Sequence, residues 1–114
     1  MSDCLFCKIV AGQIPAKIIH QDDETVAFMD INPQAPTHFL VIPKKHIPTL
    51  NDLTEADDAL VGRLYRVAAR LARERGFAEP GWRVVANVNR DGQQTVFHVH
   101  LHVLAGRAMR WPPG

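Results

Sequence analysis

Residues 96–104, Val-Phe-His-Val-His-Leu-His-Val-Leu, place a histidine at every second position with an apolar residue between each pair. A period of two is the repeat of an extended strand, whose successive side chains leave on opposite faces. The pattern predicts a strand over Thr95–Leu104. His98, His100 and His102 would lie on one face, and Phe97, Val99, Leu101 and Val103 on the other. The apolar face needs a core, which makes this strand a sheet member covered on that side. The other face presents three imidazoles in a row.

The rest of the chain supplies the partners for that sheet. Lys17–His20 and Thr25–Met29 read as strands around the turn Gln21-Asp22-Asp23-Glu24. Asn32–Pro36 is a loop, because each proline biases its predecessor toward extended geometry and lacks an N–H. Thr37–Ile42 is apolar apart from His38, so it predicts a strand covered on both faces and stopped by Pro43. The one clear long helix follows: Thr54 is its cap, with Asp57 three residues on, and Leu60, Val61, Leu64, Val67, Ala68 and Leu71 form a helical stripe ended by Gly76. Trp82–Val88 reads as another strand, and Asp91-Gly92 as the turn into the last one. Short turns between strands favour antiparallel pairing, so the class is α+β, with one main helix across a sheet.

At 114 residues the chain suits one domain, 1–114, small enough that pairing with a second copy would add useful buried surface. A formal charge of +1, with both signs interspersed, argues against a nucleic-acid partner. No apolar stretch approaches the ~20 residues that span a bilayer. The start Met-Ser-Asp-Cys has no signal-peptide pattern. Two cysteines without such a signal point to a reducing, cytoplasmic setting.

The histidine face has three readings. It is the polar side of a surface strand, a metal site, or a nucleophilic centre. At ~3.3 Å rise per residue the outer histidines start ~13 Å apart, awkward for three ligands on one ion. In a nucleophilic centre one imidazole attacks while its neighbours hold its tautomer and bind charge, which suits phosphoryl chemistry. Cys4-Leu5-Phe6-Cys7 likewise reads as two structural thiols, a redox pair or half of a zinc site.

His-Val-His-Leu-His-Val-Leu resembles the His-φ-His-φ-His-φ-φ signature of the histidine triad family. Further blocks carry the resemblance along nearly the whole chain: Ile14–Lys17, Asp30–His38, Ile42–His46 and Trp111–Gly114. Together they look like the Hint branch, the purine nucleoside phosphoramidases. The resemblance implies a five-stranded antiparallel sheet with one long and one short helix, and a homodimer with a continuous ten-stranded sheet. It implies hydrolysis of a purine nucleoside phosphoramidate with His100 as nucleophile, His102 on phosphate oxygens, and His98 with His38 orienting the nucleophile.

By the same resemblance Asp30 and Ile31 take the ribose, though Asp30 alone is as readily a turn residue. Asn87, Gln93, Gln94 and Thr95 hold the phosphate. Phe6, Ile9, Ile14 and Phe28 form the slot for the base, although by themselves they read as core. Two positions depart from the family pattern: Gln93 stands where glycine is usual, and Met29 where a histidine often lines the base pocket. No cofactor is implied for catalysis. Some bacterial members bind a structural zinc through positions matching Cys4, Cys7, His46 and His98. The Trp111 tail is implied to lie near the partner's site. Two alternatives stay open: a dinucleoside polyphosphate hydrolase or nucleotidyl transferase of the same superfamily, and a non-enzymatic nucleotide-binding adaptor.

Overall fold

The structure, a computed structural model, describes residues 3–114. A short helix α1 (Leu5–Val10) precedes strands β1 (Ile18–Gln21), β2 (Thr25–Met29) and β3 (Thr37–Pro43). Helix α2 (Asp58–Glu74) then leads to β4 (Arg83–Val85) and β5 (Leu101–Ala105). The five strands form one antiparallel sheet in the order β1-β2-β3-β5-β4. Among the described residues no helix is long and apolar enough to cross a membrane.

Strand alternation splits the interior into two layers. Ala27, Phe39, Val41, Val99, Leu101 and Val103 face α2, which answers with Leu64, Val67, Ala68 and Leu71. Val26, Phe28, Leu40 and Ile42 leave on the opposite face and meet Phe6 and Ile9 of α1. The burial of all but the first residue of β3 follows from this double cover, as its apolar run predicts. The expected stop of the helix is present, but the expected cap serves a 3-10 turn: Thr54 and Asp57 form a capping box around Glu55–Asp57, and α2 itself starts from Asp57. At its other end Gly76 adopts φ 90°, its N–H reaches Arg73 O at 3.0 Å, and Phe77 N–H reaches Ala72 O at 2.9 Å. Those two bonds are a Schellman cap, whose left-handed residue favours glycine.

Two strands are shorter than the sequence pattern predicts. Pairing expected over residues 82–88 is confined to Arg83–Val85, and that over 95–104 begins only at Leu101. The register explains the second: Val41 pairs with Leu101, so the next steps would set Ile42 and Pro43 against residues 100 and 99. Pro43, the last residue of β3 rather than the residue beyond it, has no N–H to give. Val99 N–H instead donates to Ile47 O at 2.7 Å. Phe97, expected in the core, is 48% exposed.

The β1–β2 turn is built around Asp22. Its carboxylate accepts from the Glu24 and Thr25 N–H groups (2.8 and 2.9 Å), the Thr25 hydroxyl (2.6 Å) and His20 Nε2 (2.7 Å). Burial opposes ionisation there, but these donors outweigh it and hold the carboxyl far below its usual range. A depressed carboxyl pKa contributes stability that is present above the unfolded value of about 3.9 and lost as pH falls toward the folded one. Asp22→Asn should therefore cost about 1–3 kcal/mol in urea melts at pH 7, and less at pH 3. A cost that does not change between the two pH values would contradict the role given to the charge.

Candidate active site

A cleft of about 350 Å³ opens on the α1 side of the sheet. Its apolar wall comes from Phe6, Ile9, Ile14, Phe28 and Leu40, and its polar end from Asp30, Thr95, His100 and His102. Met29 lines it as well, and Ile31, 99% exposed, stands at its rim. Most of the residues singled out from the sequence thus meet in one place: Phe28, Leu40 and His102 leave this face of β2, β3 and β5, and α1 with the segments after β2 and before β5 brings the rest. Leu5, Pro15, Ala16 and Val96 also line it, and nothing in the sequence distinguishes them from core or surface positions.

The protonation of each imidazole follows from its partners, since a carbonyl oxygen can only accept and a backbone N–H can only donate. His100 Nδ1 lies 2.7 Å from the carbonyl oxygen of His98, so Nδ1 carries the proton and Nε2 keeps its lone pair. His98 is the mirror case: Nε2 donates to Pro43 O at 2.7 Å, which leaves Nδ1 unprotonated. Gln34 N–H donates to His38 Nδ1 at 3.0 Å, so His38 bears its proton on Nε2 and donates to His102 Nδ1 at 2.9 Å. His102 is then left with Nε2–H as its free donor.

Electrostatics agree with four neutral rings. Burial pushes His38, His98 and His100 below the ordinary histidine value, against the opposing pull of Asp30 on His38 and His100. His102 is pushed down to about 4, first by burial and then by His100 and His38. The Asp30 carboxylate lies 3.4 Å from His38 Nε2 and 3.9 Å from His102 Nδ1. Its other oxygen accepts from Asn32 N–H at 2.7 Å, so Asp30 is both a turn residue and part of the cleft. Phe6 packs edge-on against His100, centroids 5.1 Å apart.

Some expected positions behave differently. His38 bonds His102, not His100, and His98 reaches His100 only through its main-chain carbonyl. Asn87, Gln93 and Gln94 do not line the cleft. Gln93 sits at φ 63°, a left-handed conformation that favours the glycine usual there in the family. Gln94 is buried, and its carboxamide takes Asn89 N–H at 3.0 Å while donating to Pro48 O and Val96 O at 2.8 and 3.0 Å. Gln94 is thus a clamp for the loop before the triad, a role with no sequence signal because two of its partners are carbonyls.

The His98 ring faces a second group. Its Nδ1 lies 3.3 Å from Cys4 Sγ, 3.6 Å from Cys7 Sγ and 3.3 Å from His46 Nδ1, and Cys7 Sγ lies 3.3 Å from His46 Nδ1. The four donor atoms all fall within 4.8 Å of one another. Tetrahedral zinc bonds of about 2.3 Å to sulfur and 2.0–2.1 Å to nitrogen give ligand-to-ligand edges of about 3.4–3.8 Å. The donor set, its spacing and the Pro43 carbonyl that fixes the His98 tautomer all fit such an ion.

Comparison with known proteins gives a consistent result. A family model described as the scavenger mRNA decapping enzyme C-terminal binding domain matches residues 3–110. The purine nucleoside phosphoramidase of Escherichia coli K12 is 47% identical over 107 residues, 94% of this chain and 90% of that protein. The crystal structure of a HIT family hydrolase from Legionella pneumophila superposes with a TM-score of 0.97 at 53% identity, covering 98% of this chain and all of that one. A zinc-bound histidine triad family protein from Mycobacterium smegmatis is 37% identical with a TM-score of 0.79, covering 93% of this chain and 76% of that one.

The proton assignments are open to direct measurement. Long-range ¹H–¹⁵N spectra across an acid titration should keep His102 neutral well below the ordinary midpoint of about 6.5, with its transition near 4. A His102 that titrates near 6.5 would contradict the buried, histidine-flanked site.

Proposed function

This chain belongs to the histidine triad family, and we propose that it hydrolyses the P–N bond of purine nucleoside phosphoramidates by way of a nucleotidyl-histidine intermediate. The observation that carries the mechanism is the 2.7 Å bond from His100 Nδ1 to the His98 carbonyl, which frees Nε2 as a neutral nucleophile in the cleft wall. The identity to a phosphoramidase supports the substrate class.

In this reading Phe6, Ile9, Ile14 and Phe28 grip the base, and Asp30 beside Ile31 takes the ribose hydroxyls. The His100 Nε2 lone pair bonds to the α-phosphorus, and the P–N bonding pair leaves with the amine, which takes up a proton. His102 Nε2–H, held by the Gln34–His38 chain of donors, bonds the phosphate oxygens as charge shifts onto them. Thr95 at the cleft edge completes the phosphate contacts. Water then attacks the same phosphorus, releasing nucleoside monophosphate and restoring His100.

The Cys4, Cys7, His46 and His98 group holds zinc, which cross-links α1 to the chain around the triad without being required as a catalytic Lewis acid. The setting is cytoplasmic, where both thiols stay reduced. The match to a decapping-enzyme family model makes a dinucleoside polyphosphate the second substrate to assay.

His100→Ala should remove phosphoramidate turnover while nucleoside monophosphate still binds within about threefold, because the pocket outlasts the nucleophile. His102→Ala should be impaired less completely. Turnover retained by the His100 variant would refute the assignment. A faster reaction with a dinucleoside polyphosphate than with adenosine phosphoramidate would move the substrate class.

The active unit in this reading is a homodimer. Strand β4 lies at one edge of the sheet, its outer side unpaired among the described residues, and pairing two such edges would give ten continuous strands. Trp111, 81% exposed and 6.0 Å below the Arg83 guanidinium, sits on the same side of the molecule as that edge strand, as an anchor for the partner. Sedimentation at micromolar concentration should find a dimer, and deletion of residues 110–114 should alter KM for bulky amines more than Tm. A monomer, or a truncated enzyme with unaltered kinetics, would rule this out.

A further inference from the structure

The backbone that carries His100 is held without the sheet. Residues 95–100 precede β5 and pair with neither β3 nor β4. Their attachments are individual bonds: the Gln94 clamp on Val96 O, Val99 N–H on Ile47 O, and the His98 ring on Pro43 O. Val99 is also pinned in the α2-side core, and on the opposite face the attachment is His98 Nδ1, within 3.6 Å of Cys4, Cys7 and His46.

His98 is fully buried and serves two groups at once. Its ring belongs to the four-donor cluster, and its carbonyl receives the His100 proton that fixes the nucleophile's tautomer. No other side chain intervenes between the cluster and that bond. A second tie runs through α1. Cys4 Sγ caps this helix by accepting from Cys7 N–H at 3.3 Å, and Phe6 between the two cysteines packs its ring against His100 and His98. The cluster therefore constrains His100 from its carbonyl partner and from its aromatic neighbour.

We infer that Cys4, Cys7, His46 and His98 are positioning residues for His100, so that filling their cluster with a divalent metal sets kcat as well as stability. The inference rests on the zinc reading above and goes beyond its structural role. With four strong ligand bonds His98 has one ring orientation and one carbonyl position. Without the metal, His98 Nδ1 keeps only weak contacts to the two thiols and to His46 Nδ1, so the ring can pivot about Pro43 O and shift the carbonyl with it. Misplacement of a reacting group by about 1 Å can cost on the order of a hundredfold in rate.

The test begins with metal content. The full chain is assayed for zinc, stripped with a chelator under conditions where circular dichroism shows it folded, and reloaded with zinc alone. Stripping should lower kcat about tenfold or more, leave KM within about threefold, and turn a single His100 Nδ1–H tautomer into a mixture by ¹H–¹⁵N NMR. Reloading should reverse all three.

A paired substitution covers the case in which the stripped chain unfolds. His46→Asn, studied well below its Tm, should reproduce the slow enzyme, whereas His46→Cys rebuilds a Cys₃His set that zinc accepts and should recover kcat. Unchanged kcat and a single His100 tautomer after stripping, or wild-type kcat in His46→Asn, would overturn the coupling while leaving zinc in place. A chain that neither carries zinc nor takes it up would overturn the zinc reading and this inference with it.

Discussion

A backbone carbonyl can accept a hydrogen bond and never donate one, and two such oxygens decide how the triad is protonated. The His98 carbonyl forces the His100 proton onto Nδ1, and the Pro43 carbonyl forces the His98 proton onto Nε2. Neighbouring imidazoles on one segment therefore present opposite nitrogens, one lone pair to the cleft and the other to the cysteines. The Gln34 N–H extends the same logic to His38 and His102. Neutral imidazole is the form that can act as nucleophile, and burial of the rings keeps it so.

Those carbonyls are in place because the sheet stops where it does. Pro43 ends β3 without an N–H to continue the ladder, and its oxygen is turned to the His98 ring instead. The α2 layer pins Val99, Leu101 and Val103 from below, so the intervening histidines are presented upward to α1 and the cleft. Every buried side-chain polar atom among the described residues has a hydrogen-bond partner, so several imidazoles can be buried together without an unsatisfied group. The fold's contribution to chemistry is this set of fixed donors and acceptors, arranged before any substrate arrives.

Much of this arrangement is legible in the sequence, for a physical reason. Side-chain periodicity reports which face a residue occupies, and the alternation of His98, His100 and His102 with Val99, Leu101 and Val103 does so correctly. It does not report whether the backbone is laddered, so residues 95–100 read as strand although they are not paired. The helix α2 and its stop are legible because its apolar stripe and Gly76 are local signals, and Thr54 with Asp57 marks the 3-10 turn that leads into it. The assembly of Cys4 and Cys7 with His46 and His98 spans over ninety positions and is visible only through family resemblance. The Pro43 and His98 carbonyls and the Gln34 N–H are backbone atoms present at almost any position, so no residue type announces them. The resemblance offers the Gln94 backbone N–H to phosphate, whereas that N–H donates to Asn89 O at 3.0 Å, another backbone bond that no residue type announces.

A bond from His100 Nε2 to phosphorus makes an intermediate that can itself be weighed. Enzyme mixed with a stoichiometric amount of adenosine phosphoramidate, quenched in base within milliseconds and digested, should yield one peptide heavier by a nucleotidyl group, with fragmentation placing that group on His100. The adduct should rise and decay ahead of free nucleoside monophosphate. Product formed at the full rate with no adduct, or an adduct on His98 or His102, would contradict the account.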